Sequence, residues 1–461
     1  MAQLSESEAQ AILTKALDYS KADECEATLT GGKSGNLRFA RNAVSTSGAR
    51  EILSLGVQSS FGKKTATSTI NEFDDASIEK VVRRAEELAQ LAPENAEYVE
   101  FLGSQEYLEP KAYFDSTGNI DPAFRARAAA TSIKLSKDRK LEAAGFLQHD
   151  AGFTAVANTH GLKGYHRSSG VDFSVTIRTP DGKGSGYGIC DYNDAAKLDT
   201  SVVSAVAAEK AARSRETRGI EPGKYTVILE PSASVDLISH MITALNARQA
   251  DEGRSFMSKP GGETRLGEKL VDERVHIYSD PMNPEAPGSR WAGDGRPRRA
   301  VDWIKDGKVV NLGYSRFWAR KKGLDENQAP PPVGGEFGGG GGGNRSVAAF
   351  EGQSGILMDG GNATLEELIK GVKRGVLVTR LWYIRPVDPQ TLLYTGLTRD
   401  GTFYVENGEV KYAIKNFRFN ESPVIFLNNL EALGKPQRVN GNMIPPMVVR
   451  DFTFSSLSDA V

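Results

Sequence analysis

Glu221, Pro222 and Gly223 interrupt the chain near its midpoint, and a compact β-branched run from Lys224 to Glu230 restarts it. A breaker cluster of this kind ends whatever element precedes it, because proline lacks a backbone donor and glycine is conformationally loose. The length demands the same division: single hydrophobic cores stop growing near roughly 250–300 residues, and this chain has 461. The expectation is a two-part body, with an N-terminal mixed α+β domain over 1–220 and a β-rich C-terminal domain over 221–461.

Within the first part, Ala9, Ile12, Leu13, Ala16 and Leu17 fall on one face of a helix over 5–20. Short β-prone runs follow at 27–30, 36–39 and 51–58, separated by glycine-rich turns in the manner of an antiparallel meander. Ile78, Val81, Val82, Ala85, Leu88 and Ala89 mark a second helix over 77–91, with Asp74 and Asp75 placed to cap it. The pattern predicts a third helix at 122–135, strands at 141–147, 153–158, 164–168 and 171–178, and a closing helix at 199–213. The second part opens with a strand at 224–230 and a helix at 233–247, then passes through short strands to a glycine-rich loop at 334–343. Beyond it, strands alternate with helices at 365–374 and 424–433. Meanders with helices grouped between them define the α+β class.

Charge and cysteine usage remove several classes of function. A formal net charge of −2 offers no overall attraction for nucleic acid phosphates or anionic lipid. No apolar run is long enough for a signal peptide or membrane span, and Cys25 and Cys190 lie far apart in the chain. That usage points to free thiols in a reducing, cytoplasmic setting. The two cysteines and five histidines form no closely spaced cluster of the kind that holds structural zinc.

The candidate chemistry is correspondingly sparse. The six glycines Gly338 to Gly343 end in Asn344, Arg345 and Ser346 rather than the Gly-Lys-Ser/Thr of a phosphate-binding loop, and Pro330 to Pro332 before them favour a surface loop. Arg290, Arg296, Arg298 and Arg299, near Trp291 and Trp303, form one basic stretch, but Asp294, Asp302 and Asp306 dilute it. His240 lies in a helical segment without a Glu after it or a second His one turn later. His149 beside Asp150, and His160 with His166, sit in strand-and-turn texture where polar residues are ordinary. No Gly-x-Ser-x-Gly elbow occurs, and neither cysteine has an adjacent histidine.

An ordered series of blocks nevertheless resembles one family along nearly the whole chain. Residues 38–42, 53–57 and 66–69, the helix from Ser77 leading to Pro93, and the block 157–162 are similar to the first half of the TldD/PmbA family, also labelled modulators of DNA gyrase. Residues 252–256, Gly267 and 277–281 follow in order, and the closing blocks 375–379, 395–408 and 415–419 are the most specific. The resemblance implies the family's two-part fold. Its catalytic subunits carry His-Glu-x-x-x-His on the first helix of the second domain plus a distal cysteine, and they pair with a similar subunit lacking those ligands. Here that helix offers only His240, and no cysteine follows Cys190, so the chain is similar to the TldE/PmbA branch.

What the resemblance implies is a non-catalytic subunit of a zinc metallopeptidase that processes or degrades unfolded peptides. Zinc would reside in a TldD-like partner, with no cofactor or metal in this chain and a homodimer when it is alone. Two other readings remain open: an independently active hydrolase, and a topoisomerase- or nucleic-acid-associated binding protein, against which net charge weighs. Arg254, Ser255, Arg380, Tyr383, Arg399 and Asp400 are the candidates for a peptide cleft. No residue is nominated as catalytic.

Overall fold

The computed structural model describes residues 3–333 and 355–458. The glycine-rich loop expected at 334–343 lies outside them. The class is α+β, as the meander pattern predicts.

The first half is built on a wholly antiparallel six-stranded sheet. Its strands are β1 (Glu24–Ala40), β2 (Ala43–Phe61), β3 (Lys64–Ile70), β4 (Glu142–Asn158), β5 (Lys163–Arg178) and β6 (Ser185–Tyr192), in the order β3-β2-β1-β4-β5-β6. Its helices are α1 (Glu6–Tyr19), α2 (Asp75–Leu91), the single turn α3 (Asp115–Gly118), α4 (Pro122–Asp138) and α5 (Thr200–Arg213). Alternate residues along β1 are buried, so one face of each strand supplies core along its length. Ala27 and Leu29 pack with Leu13 of α1 and Val82 of α2. Leu37 and Phe39 pack with Ala129 of α4 and Ala208 of α5. Two helix pairs thus cover one face of the sheet, leaving the other face to meet the second half.

The runs at 27–30 and 36–39 prove to be parts of one strand, as do those at 141–147 and 153–158 and those at 164–168 and 171–178. The glycines read as turns lie inside the sheet. A Cβ on Gly32 would sit 2.8 Å from the Ala151 carbonyl oxygen, and one on Gly152 would strike the Gly31 carbonyl. Close backbone approach between β1 and β4, not chain reversal, is what these glycines permit.

In the second half, β7 (Thr217–Arg218) and β8 (Gly223–Leu229) join a sheet with the long hairpin Arg374–Asp388 and Leu393–Glu406 and the strands Glu409–Ile414, Asn416–Glu421 and Met447–Ser458. Strand Arg374–Asp388 pairs with both β8 and Leu393–Glu406, which closes part of this sheet into a ring. Val227, Val376, Phe417, Phe419 and Val449 fill its core with helix α6 (Pro231–Thr243). A separate six-stranded sheet contains Ile277–Ser279, Val301–Lys305 and Ile356–Met358.

The helix expected at 424–433 stops early: Pro423–Asn428 is helical, whereas Leu430–Leu433 pairs antiparallel with Met447–Val449. Tertiary strand pairing there overrides an apolar spacing that suits either element. The helix at 365–374 likewise ends at Lys370, and Arg374 already belongs to the hairpin. Among the described residues no helix is long and apolar enough to cross a membrane.

Candidate functional site

Helix α6 begins at Pro231, directly after β8 and one residue past its cap Glu230, where proline's fixed φ suits a first turn. Ala233, Leu237, Ile238, Met241 and Ile242 are buried, which leaves Asp236 and His240, one turn apart, for another side of the helix. The His240 ring lies flat against Tyr394 of the hairpin, with centroids 4.7 Å apart and planes 11° from parallel. Solvent still reaches Asp236, yet the surrounding protein desolvates its carboxyl and raises its pKa, with His240 and Arg380 pulling the other way. Burial lowers the pKa of His240, and Asp236 opposes that shift.

The facing wall comes from the hairpin and from β6. Arg380 and Arg399 are cross-strand neighbours. Arg380 pairs with Asp400 at 3.0 Å, and its guanidinium lies 4.1 Å from the centre of the Tyr187 ring. Ser185 donates to the other Asp400 oxygen at 2.5 Å. Tyr187 and Ser185 reach the hairpin because Gly184, Gly186 and Gly188 alternate with them: a Cβ on any of the three would strike a carbonyl of α5. Helix α5 therefore lies directly on one side of β6, and the intervening side chains point away from it.

Farther along the hairpin, Trp382 and Tyr383 are 40% and 54% exposed, enough to make an aromatic surface. The guanidinium of Arg399 lies 4.0 Å from the Trp382 ring centre, and that of Arg385 lies 4.5 Å from that of Tyr383. Tyr383 has a φ of 54° and Asp400 one of 56°. A bulky residue in the left-handed region is rare, and such strain concentrates at functional sites.

Arg380, Tyr383, Arg399 and Asp400 are therefore gathered on one hairpin. Arg254 and Ser255 are engaged elsewhere: Arg254 pairs with Glu252, and the Ser255 hydroxyl accepts from the Met257 amide at 3.1 Å. Their loop reaches the hairpin's far end through Gln390, which donates to the Gly253 carbonyl at 3.4 Å. Asp236, Tyr187 and Tyr394 belong to the site and were missing from the sequence reading. Asp236 stands one turn before His240, a spacing visible in the sequence, whereas Tyr187 joins only because the halves dock.

The other sequence candidates have structural roles. Arg296 is 1% exposed and donates to the carbonyls of Glu326, Ala329 and Tyr314, so the basic stretch is no continuous surface. His160 pairs with Glu24 at 2.7 Å. His149 is buried against Arg125 at 3.0 Å.

Three segments match one family in order: residues 25–89 match the PmbA/TldA metallopeptidase domain 1, 115–215 its central domain, and 222–456, more than half the chain, its C-terminal domain. The chain belongs to the PmbA/TldD family. Solved structures agree on the fold. TldE from Thermococcus kodakarensis superposes with a TM-score of 0.81 at 17% identity, covering 97% of this chain and 99% of that one. Two proteins described as candidate modulators of DNA gyrase do likewise. The one from Thermotoga maritima has a TM-score of 0.82 at 18% identity and covers 97% and 100% of the two chains. The one from Bacteroides thetaiotaomicron has a TM-score of 0.80 at 20% identity and covers 98% of each. A comparison with curated protein sequences finds no match.

For a metallopeptidase family the donor set must be tested. Catalytic zinc takes about three protein ligands. The site on α6 supplies His240 and the carboxylate of Asp236, and among the described residues no group of three or more His, Cys, Asp or Glu side chains could hold a metal. Among the described residues, the site's donors are too few to fit a zinc centre.

Proposed function

We propose that this chain is the non-catalytic member of a two-subunit peptidase of the PmbA/TldD type, and that it contributes a cleft in which unfolded peptides are held for a zinc-bearing, TldD-like partner. The observation that carries the reading is the state of His240. The helix that follows β8 presents this histidine stacked on Tyr394, with Asp236 as its acidic neighbour among the described residues. Such a pair can orient a peptide through hydrogen bonds but supplies too few donors for a metal-activated water.

The cleft's other features suit an extended chain. The hairpin strand Arg374–Asp388 pairs with β8 only over residues 376–378, so its outer edge beyond Arg380 has no strand partner among the described residues. An exposed strand edge can bind peptide through main-chain hydrogen bonds that require little sequence specificity. Trp382 and Tyr383 add aromatic surface beside it. Arg380, Tyr383, Arg399 and Asp400 are proposed as the hairpin wall, and Arg254 and Ser255 as an outlying contact beyond its tip. A cytoplasmic location and a homodimer in the absence of the partner complete the proposal.

The decisive experiment is zinc analysis and a peptidase assay on the purified chain, alone and mixed with a zinc-bearing family member from the same source. Cleavage only in the mixture, with zinc in the other subunit, is the expected result. Stoichiometric zinc and cleavage by this chain alone would overturn the proposal.

A further inference from the structure

The sheet of the first half ends at β3, on the opposite edge from β6 and the α6 site. β3 pairs with β2 alone, and its outer edge has no strand partner among the described residues. A free edge presents a row of backbone donors and acceptors, which native proteins usually guard with a charge in the strand, a proline or a bulge. β3 has none of these beyond its first residue. Residues 65–70 are uncharged and contain no proline, and the register with β2 runs without a shift from Lys64 opposite Phe61 to Ile70 opposite Leu55. Thr67 and Thr69 are exposed.

Helix α2 lies over this end of the sheet, with Val81 buried and Ile70 packed against the core it shares with α1. Between the strand and one flank of the helix runs an open groove of about 460 Å³. Lys80, Arg84 and Leu88 line it at successive turns. Lys80 and Arg84 are exposed and have neither a carboxylate nor a hydrogen-bond partner among the described residues, whereas the neighbouring Arg83 is held by Glu79 and Glu86. Leu88 is 41% exposed. The acids nearby in the chain are engaged or turned elsewhere: Glu72 and Asp74 accept from the Ser77 hydroxyl, Asp75 pairs with Lys15, and Glu87 does not line the groove.

We propose that this edge binds an extended segment of another polypeptide as a seventh strand, and that the segment carries two acidic side chains two residues apart with an apolar one two residues beyond. Alternate side chains on a strand share a face and stand about 6.6–6.8 Å apart, close to the rise of about 6 Å between helical residues four apart. One face of the added strand can therefore meet Lys80, Arg84 and Leu88 in turn. Its main chain takes up the backbone groups that β3 leaves open, which asks little of the intervening residues, and the acidic pair fixes the register. A second copy of this chain suits the edge poorly, because β3 against β3 about a two-fold axis would turn the basic flanks of two α2 helices toward each other. Binding here needs neither the α6 site nor a zinc-bearing partner, so it goes beyond the proposed function and can fail separately from it.

The test titrates the full chain at low ionic strength with the symmetrical peptide acetyl-Thr-Val-Thr-Glu-Thr-Glu-Thr-Val-Thr-amide, followed by calorimetry, and locates the bound peptide by hydrogen exchange. Protection should appear in residues 64–70, and replacing both glutamates by lysine should weaken binding by at least about tenfold. The double variant Lys80→Glu, Arg84→Glu, at two exposed side chains, should lose the acidic peptide by a similar factor and bind the lysine peptide instead, a gain that only a folded variant can show. Methylating alternate backbone nitrogens of the peptide should abolish binding for the set that faces β3 and spare the other set. Equal binding of the acidic and lysine peptides, or no binding of either, would overturn the proposal. Equal binding of the two methylated sets would also overturn it, by showing charge attraction without strand pairing. Protection confined to residues 374–388 would eliminate this groove while supporting the hairpin edge, so the place of protection tells the two readings apart.

Discussion

His149 and His166 are the residues whose protonation most opposes the fold. Burial, with Arg125 beside the first and Arg290 beside the second, pushes each pKa down to about 4. Both are held neutral, so each contributes stability that is full above the unfolded value near ~6.5 and is lost as pH falls toward about 4. Between those limits the unfolded chain binds more protons, and each histidine should make stability fall by roughly 1.4 kcal/mol per pH unit. Urea unfolding at pH 5 and pH 7 measures the slope. His149→Gln, which keeps an acceptor for Arg125, should remove the His149 share, and an unchanged slope in that variant would contradict the assignment.

Among the elements, the long strands of the first sheet depend on backbone contact that no side chain can replace. A Cβ at Gly152 would strike the Gly31 carbonyl of β1, so Gly152→Ala should cost about 2 kcal/mol by overpacking. Hydrogen exchange should localise the loss to the centre of β1 and β4; uniform destabilisation would instead implicate the whole domain. In the separate six-stranded sheet, His276, just before Ile277–Ser279, holds Asp302 of the neighbouring strand Val301–Lys305 at 3.0 Å and Asp359, just after Ile356–Met358, at 2.7 Å. Burial disfavours its charge, but hydrogen bonds donated by its ring to those two carboxylates, with their negative charge, outweigh burial and raise its pKa. Its folded pKa lies above the unfolded one, so this clamp contributes fully below ~6.5 and is lost as pH rises through the raised value. His276→Asn should therefore cost about 1 kcal/mol at pH 6 and nearly nothing at pH 9, measured as a shift in urea midpoint at each pH.

Across the whole molecule, charged contacts fasten one half to the other. Lys210 of α5 meets Glu230, the cap of α6, at 2.5 Å, Arg438 meets Asp191 at 2.8 Å, and Ser185 meets Asp400 at 2.5 Å. Asp400 is 1% exposed and also pairs with Arg380. Asp400→Ala should leave the guanidinium without its carboxylate between the halves, costing about 3 kcal/mol. Because the lost contacts are those of docking, calorimetry should separate a first-half from a second-half transition. A single transition lowered as a unit would show that the halves remain coupled through their other contacts.

Much of this was legible in local pattern. The helix over 77–91 was readable because its apolar residues recur at helical spacing over several turns, and Asp74 does cap it, accepting from the Ser77 amide. The α+β class and family membership were legible because ordered motifs persist in the chain itself. The continuous strands were not, since a glycine that permits close strand contact has the same composition as one in a turn. For the candidate site, Arg380, Tyr383, Arg399 and Asp400 were named from the closing blocks that carry the family resemblance, and only the strand pairing shows that they share one hairpin. The sequence omitted Tyr187, and it could not tell that Arg254 pairs within its own loop or that Arg296 is buried. Those facts depend on which surfaces meet when two halves dock, and docking is decided by shape and charge across hundreds of residues that no sequence interval encodes.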